Sequence, residues 1–118
     1  MAVYFVDSSA LVKRYISETG STWVLSLFDP ALNNDILIAA ITGVEIVAAI
    51  TRRASAMALA ETQGLRGYDA VQLAVGREIN ALCVANSLPP VTFVSADNEL
   101  NAAAASEGLL VENPNNYP

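Results

Sequence analysis

The sequence predicts an α/β domain built on a parallel sheet of four or five strands with helices on both faces. Three observations point there. Short runs of β-branched and aromatic residues, VYFV at Val3–Val6, DILIAA at Asp35–Ala40 and VTFV at Val91–Val94, alternate with longer stretches of helical character. These runs are apolar throughout, as strands covered on both faces are. Two of them lead into an aspartate: Asp7 directly after VYFV, and Asp97 after VTFVSA. Open parallel sheets bind ligands beyond the carboxyl ends of their strands, so both carboxylates are expected on one rim.

The elements follow in order. Val3–Val6 is the first strand, and Asp7-Ser8-Ser9 supplies helix-capping residues. A helix over Ser9–Ile16 is broken by Ser17-Glu18-Thr19-Gly20-Ser21, and a second helix over Ser21–Phe28 ends before Pro30. Asp35–Ala40 reads as a buried strand. Thr42 caps a helix carrying Val44, Glu45, Val47, Ala48 and Ile50. Residues 52–64 are mostly helix-forming without a clear pattern. Leu65–Ala85 is a long helix with Tyr68, Val71, Val75, Ile79 and Leu82 at helical spacing. Pro89-Pro90 closes that region. Val91–Val94 is the third strand, Asn98–Ser106 a helix stopped by Gly108, and Leu109–Val111 the fourth strand. The Pro- and Asn-rich tail after Glu112 is expected to be loose.

Composition narrows the chemistry. At 118 residues, the chain suits a single domain over 1–118. Hydrophobic residues make up 53% and charged residues only 15%, which points to apolar surface buried in a dimer or a partner complex, or else simply to an Ala-rich chain. One cysteine and no histidine exclude an internal disulfide, Cys/His zinc sites and Ser-His or Cys-His catalytic pairs. Cys83 itself reads as a core residue. Any acid–base or metal chemistry must therefore rest largely on carboxylates. The opening MAVYFVDSS has no basic region, and the longest apolar tract, Ile36–Ile50, is interrupted by Thr42, Gly43 and Glu45. A soluble cytoplasmic protein with no membrane segment is expected. The net charge of −6 argues against nucleic-acid binding unless bound cations invert the local field.

Each acidic residue has an ordinary reading beside a functional one. Asp7 and Asp97 each precede a helix, where a capping aspartate is commonplace. Glu45, within VEIVAAI, and Asp69, within YDAVQLA, are charges on otherwise apolar helices. Ion pairs could account for them, with Arg66 one turn before Asp69 and Arg52 two turns beyond Glu45. Without a partner or a metal, a buried carboxylate is costly. Taken together, two strand-end aspartates and two carboxylates on apolar helix faces form an all-oxygen set. Such a set suits hard cations, Mg²⁺ or Mn²⁺, which bind phosphate substrates and activate water.

The segments VYFVDSSALVKRY, VEIVAAITRR, GLRGYDAVQLAV and VTFVSADNELNAAAASEGL, in that order, resemble the PIN-domain family, and especially the toxin ribonucleases of VapBC toxin–antitoxin pairs. The resemblance runs from Val3 to Glu112. It implies a PIN-like three-layer fold and Mg²⁺- or Mn²⁺-dependent cleavage of single-stranded RNA by a metal-activated water. It also implies a homodimer and an antitoxin partner. The family's acidic site falls on Asp7, Glu45, Asp69 and Asp97. Ser9 matches the family's hydroxyl near the first aspartate, and Lys13 and Arg66 stand as substrate-contacting or supporting residues. Asn101 lies where some members carry a further acid, which implies weak binding of a second metal. One departure stands out: only residues 46–68, 23 in all, separate Glu45 from Asp69. Family members carry a longer helical insert there, so the chain is expected to be shortened or to lack residues between about 53 and 57. Two other readings compete. One is a non-catalytic PIN-like module that binds RNA or protein. The other is a phosphotransfer domain using Asp7 as nucleophile, which the absence of a strand-end lysine disfavours.

Overall fold

The computed structural model describes residues 2–39 and 69–118. The expected helix after Thr42, residues 52–64 and the start of the long helix lie outside the described residues. So do Glu45, Arg66 and the junction near 53–57.

Among the described residues, four strands form one all-parallel sheet in the order β2-β1-β3-β4. They are β1 (Val3–Val6), β2 (Asp35–Leu37), β3 (Val91–Val94) and β4 (Leu110–Glu112). Between β1 and β2 run α1 (Ser8–Leu11), a 3-10 turn over Val12–Arg14, and α2 (Ser21–Leu27). Helix α3 (Asp69–Ala85) precedes β3, and α4 (Asn98–Ser106) joins β3 to β4. The first helix is shorter than its sequence suggests, because its last turn tightens to 3-10 geometry, a common way for a helix to end.

The two central strands pair in register from Val3↔Val91 to Val6↔Val94. Their side chains alternate, as strand geometry requires. Val3, Phe5, Val91 and Phe93 join an apolar cluster with Cys83 of α3 and Leu100 and Ala104 of α4. Val6 and Val94 join a second cluster with Ala10 and Leu11 of α1 and Leu27 of α2. Phe5 and Phe93 stack at 5.5 Å between centroids, and α3 approaches closely at Gly76: a Cβ there would lie 3.0 Å from the Phe93 ring. Cys83 is buried, as expected of a core thiol.

Three expectations are corrected. β2 is not a buried strand of six residues: it spans three, is exposed at Asp35, and among the described residues pairs only with β1. β4 starts one residue late, since Leu109 is engaged in ending α4: its N–H donates to the Ala104 carbonyl at 3.1 Å. The tail is not loose. Pro114–Asn116 form a 3-10 turn with Pro114 buried, and the Tyr117 ring stacks on Trp23 at 4.4 Å and 4°. Gly20, at φ 87°, lies so close beneath this turn that a Cβ would collide with the Pro114 carbonyl. Among the described residues, no helix is long and apolar enough to cross a membrane.

Candidate functional site

The carboxyl ends of β1 and β3 lie side by side. The Asp7 N–H donates to the Val94 carbonyl at 3.0 Å, extending the ladder one residue past both strands. The backbone then turns into α1 after Asp7 and into α4 after Asp97. Both aspartates cap their helices: Asp7 Oδ1 accepts from Ala10 N–H, and Asp97 Oδ1 from Leu100 N–H, each at 3.1 Å. The capping role foreseen for each is therefore present, and both residues stand on the same rim.

Asp7 is more than a cap. It is only 2% exposed, and two serines clasp it. Ser9 Oγ donates to Asp7 Oδ1 and Ser95 Oγ to Asp7 Oδ2, each at 2.8 Å. The direction of these bonds follows from the backbone. Ala96 N–H donates to Ser9 Oγ at 2.9 Å, and Asp97 N–H to Ser95 Oγ at 3.1 Å. A backbone N–H can only donate, so each hydroxyl accepts there and turns its single hydrogen to Asp7. Burial pushes the Asp7 carboxyl up to about 6. The hydrogen bonds from Ser9, Ser95 and Ala10 pull it down, and the negative charge of Asp69 adds to the rise. Asp69 lies at the start of the described part of α3.

The remaining residues fall as follows. Asn101 turns its amide back under the rim: its Nδ2 donates to the Ser95 carbonyl at 2.8 Å. Its Oδ1 is buried with no hydrogen-bond partner among the described residues. Lys13 sits in the turn after α1 with its side chain 6% exposed, and its ammonium is held 3.0 Å from Glu18 Oε1. Ser95 was not singled out from the sequence. Its signal is there, two residues before Asp97, as Ser9 stands two after Asp7. A serine next to a strand end is too common to mark by itself.

The donors suit a hard divalent cation in kind. Among the described residues, Asp7 Oδ2 carries one hydrogen bond where an ionised carboxylate oxygen accepts two, and Asn101 Oδ1 is a buried acceptor without a donor. Among the described residues, no three acidic, histidine or cysteine side chains stand close enough to hold a metal ion. Mg²⁺ needs no such cage, since one or two carboxylates with water and substrate phosphate suffice.

The fold and rim define an α/β protein with a parallel sheet and a clasped carboxylate at the end of a central strand. No protein-family model, curated protein or solved structure matches the chain.

Proposed function

We infer that this protein is a PIN-type endoribonuclease, a hydrolase that cleaves single-stranded RNA with Mg²⁺ or Mn²⁺ and acts as the toxin of a toxin–antitoxin pair. The observation that carries this reading is the clasped Asp7 carboxylate, buried at the rim beside Asp97 and under the negative charge of Asp69. Two apolar clusters built on alternate residues of β1 and β3 support the three-layer arrangement of that family, with helices on both faces of the sheet.

In this reading Asp7, Glu45, Asp69 and Asp97 hold the cation, and Asn101 offers an uncharged oxygen. Bound there, the cation supplies a hydroxide nucleophile and neutralises charge on the scissile phosphate. The protein's own part is positional. Ser9 and Ser95 fix the Asp7 carboxylate, the two helix caps lock the turns that carry Asp7 and Asp97, and Arg66 meets the RNA backbone. Lys13 secures the turn behind α1 through Glu18. The protein forms a homodimer and binds an antitoxin through apolar surface, for which Leu82, Val84 and Leu88 are exposed at 62%, 58% and 50%.

A fluorogenic single-stranded RNA tests the reading. Cleavage should require Mn²⁺ or Mg²⁺, vanish on chelation and collapse in Asp7→Asn, which keeps a capping oxygen. Wild-type cleavage by Asp7→Asn with unchanged metal dependence would remove Asp7, and most of the quartet with it. One observation favours a second reading, a non-catalytic PIN-like module that binds RNA or protein: no three acidic ligands assemble among the described residues. RNA retention without cleavage at any divalent cation would select it.

A further inference from the structure

The segment after β4 ties together parts of the fold that lie far apart in the sequence. At its near end the Glu112 carbonyl accepts from Ser95 N–H at 3.1 Å, in the turn that leads to Asp97. Asn113 then bridges two elements with one amide. Its Oδ1 accepts from Asn115 N–H at 2.8 Å and so caps the 3-10 turn, while its Nδ2 donates to Asn98 Oδ1 at 3.1 Å, in the residue after Asp97. Pro114 is buried, and its carbonyl fills the space that a Cβ on Gly20 would need, so a glycine just before α2 admits this path. At the far end the Tyr117 ring lies on Trp23 of α2, 4.4 Å between centroids and 4° from parallel. Its hydroxyl donates to Glu112 Oε2 at 2.7 Å.

We propose that residues 113–118 form a strap that ties α2 to the rim turn at Ser95–Asn98, so that the seating of Tyr117 on Trp23 and the order of the rim rise and fall together. The inference goes beyond the nuclease reading and does not depend on it, since none of these contacts involves a cation. The two ends of the strap are held unequally: Pro114 is buried, whereas Tyr117 is 38% exposed. An exposed end opens at lower cost than a buried one. When Tyr117 lifts, its N–H leaves the Pro114 carbonyl, 3.0 Å away, and the 3-10 turn loses its last bond. The Asn113 amide that this turn orients is then free to leave Asn98. The rim turn loosens, and with it the Ser95 hydroxyl that holds Asp7. Trp23 thus becomes a control point for a rim that it does not belong to. Coupling of this kind runs in both directions.

Amide hydrogen exchange reads the rim, and the emission of Trp23, the single tryptophan of the chain, reads the strap. Tyr117→Ala should speed exchange at Ser95, Ala96 and Asp97, whose N–H groups bond to Glu112, Ser9 and Ser95. The gain should be about fivefold or more, the low end of ordinary coupling between two sites. Leu88, whose N–H closes α3 before the other end of β3, should exchange as in wild type. In return, Asn98→Ala, which leaves both rings in place, should shift Trp23 emission to the red as that ring loses cover. Wild-type exchange at the three rim amides of Tyr117→Ala would overturn the proposal, because the strap would then come off without loosening the rim. Equal acceleration at Leu88 would overturn it too, since that marks a general loss of stability. So would unchanged Trp23 emission in Asn98→Ala, and that variant decides alone should Tyr117→Ala fail to fold.

Discussion

Asp7 carries two demands that pull in opposite directions. Its three hydrogen bonds favour the ionised form, while burial and the charge of Asp69 oppose it, and the carboxyl settles at about 6. A folded-state value above the ordinary 3.8 means that the folded protein binds this proton more tightly than the unfolded chain. The resulting stability is complete below pH 4 and is lost as the pH rises through 6. Without divalent cations, urea unfolding should therefore show wild type losing about 2.4 kcal/mol from this group between pH 4 and pH 7.5. Asp7→Asn, which has no such proton, should lose far less across that range. A wild-type profile no steeper than that of Asp7→Asn would refute the burden on Asp7. Ser95→Ala leaves Asp7 Oδ2 without a donor and Asp97 N–H without an acceptor, so it should cost about 1–3 kcal/mol in the same assay. A cost indistinguishable from zero would show that water replaces the hydroxyl. The rim position of Asp7 and Asp97 was legible in the sequence because a charge after an apolar strand stands out against its neighbours. Ser95 was not, because its role depends on a partner 88 residues away.

Helix ends show how the same device is built from different residues. Helix α3 ends with Leu88 N–H bonded to the Cys83 carbonyl at 2.9 Å and Ser87 N–H to the Val84 carbonyl at 3.2 Å. Helix α4 ends with Leu109 N–H on the Ala104 carbonyl and Gly108 N–H on the Ala105 carbonyl. Both are Schellman motifs, with the residue just past the cap in the left-handed region: Ser87 at φ 57° and Gly108 at φ 85°. Glycine carries no penalty there, and serine does. Ser87→Gly should therefore stabilise the protein by about 0.5–1 kcal/mol, and Gly108→Ala should destabilise it by about 1 kcal/mol, although open space surrounds a Cβ at 108. Thermal melts that move both variants the same way would contradict this account. The stop at Gly108 was readable from the sequence. The stop after Ala85 was placed by Pro89-Pro90, which lie beyond the motif that actually ends the helix. Strand positions followed from apolar runs, but such a run does not say how much of it is strand or how far it is buried, which is how β2 was misjudged.

The molecule as a whole is acidic, and that conflicts with a polyanionic substrate unless the rim carries cations. Its six basic residues contend with twelve acidic ones, and Lys13 and Arg77 are already paired with Glu18 and Glu107. A protein that held RNA through six phosphate contacts would lose about a thousandfold in affinity between roughly 50 and 200 mM monovalent salt. For the proposed nuclease, the single-turnover cleavage rate at fixed Mn²⁺ should fall by less than about tenfold over that range. A steep decline would show that a basic face, and not the cation site, gathers the RNA. The docked tail is another property of the whole that local reading could not reach. Proline and asparagine suggest loose chain, but Trp23, nearly a hundred residues earlier, gives the Tyr117 ring a surface to lie on.

The order of the strands also governs when the rim comes into being. β1 leaves the ribosome before its neighbour β3, and Asp7 before the Ser95 hydroxyl that lies 88 residues further along. Contacts so distant in sequence close late, because the intervening chain must exist before its entropy can be overcome. A nascent chain thus carries Asp7 without the Ser95 half of its clasp until those 88 residues have followed it.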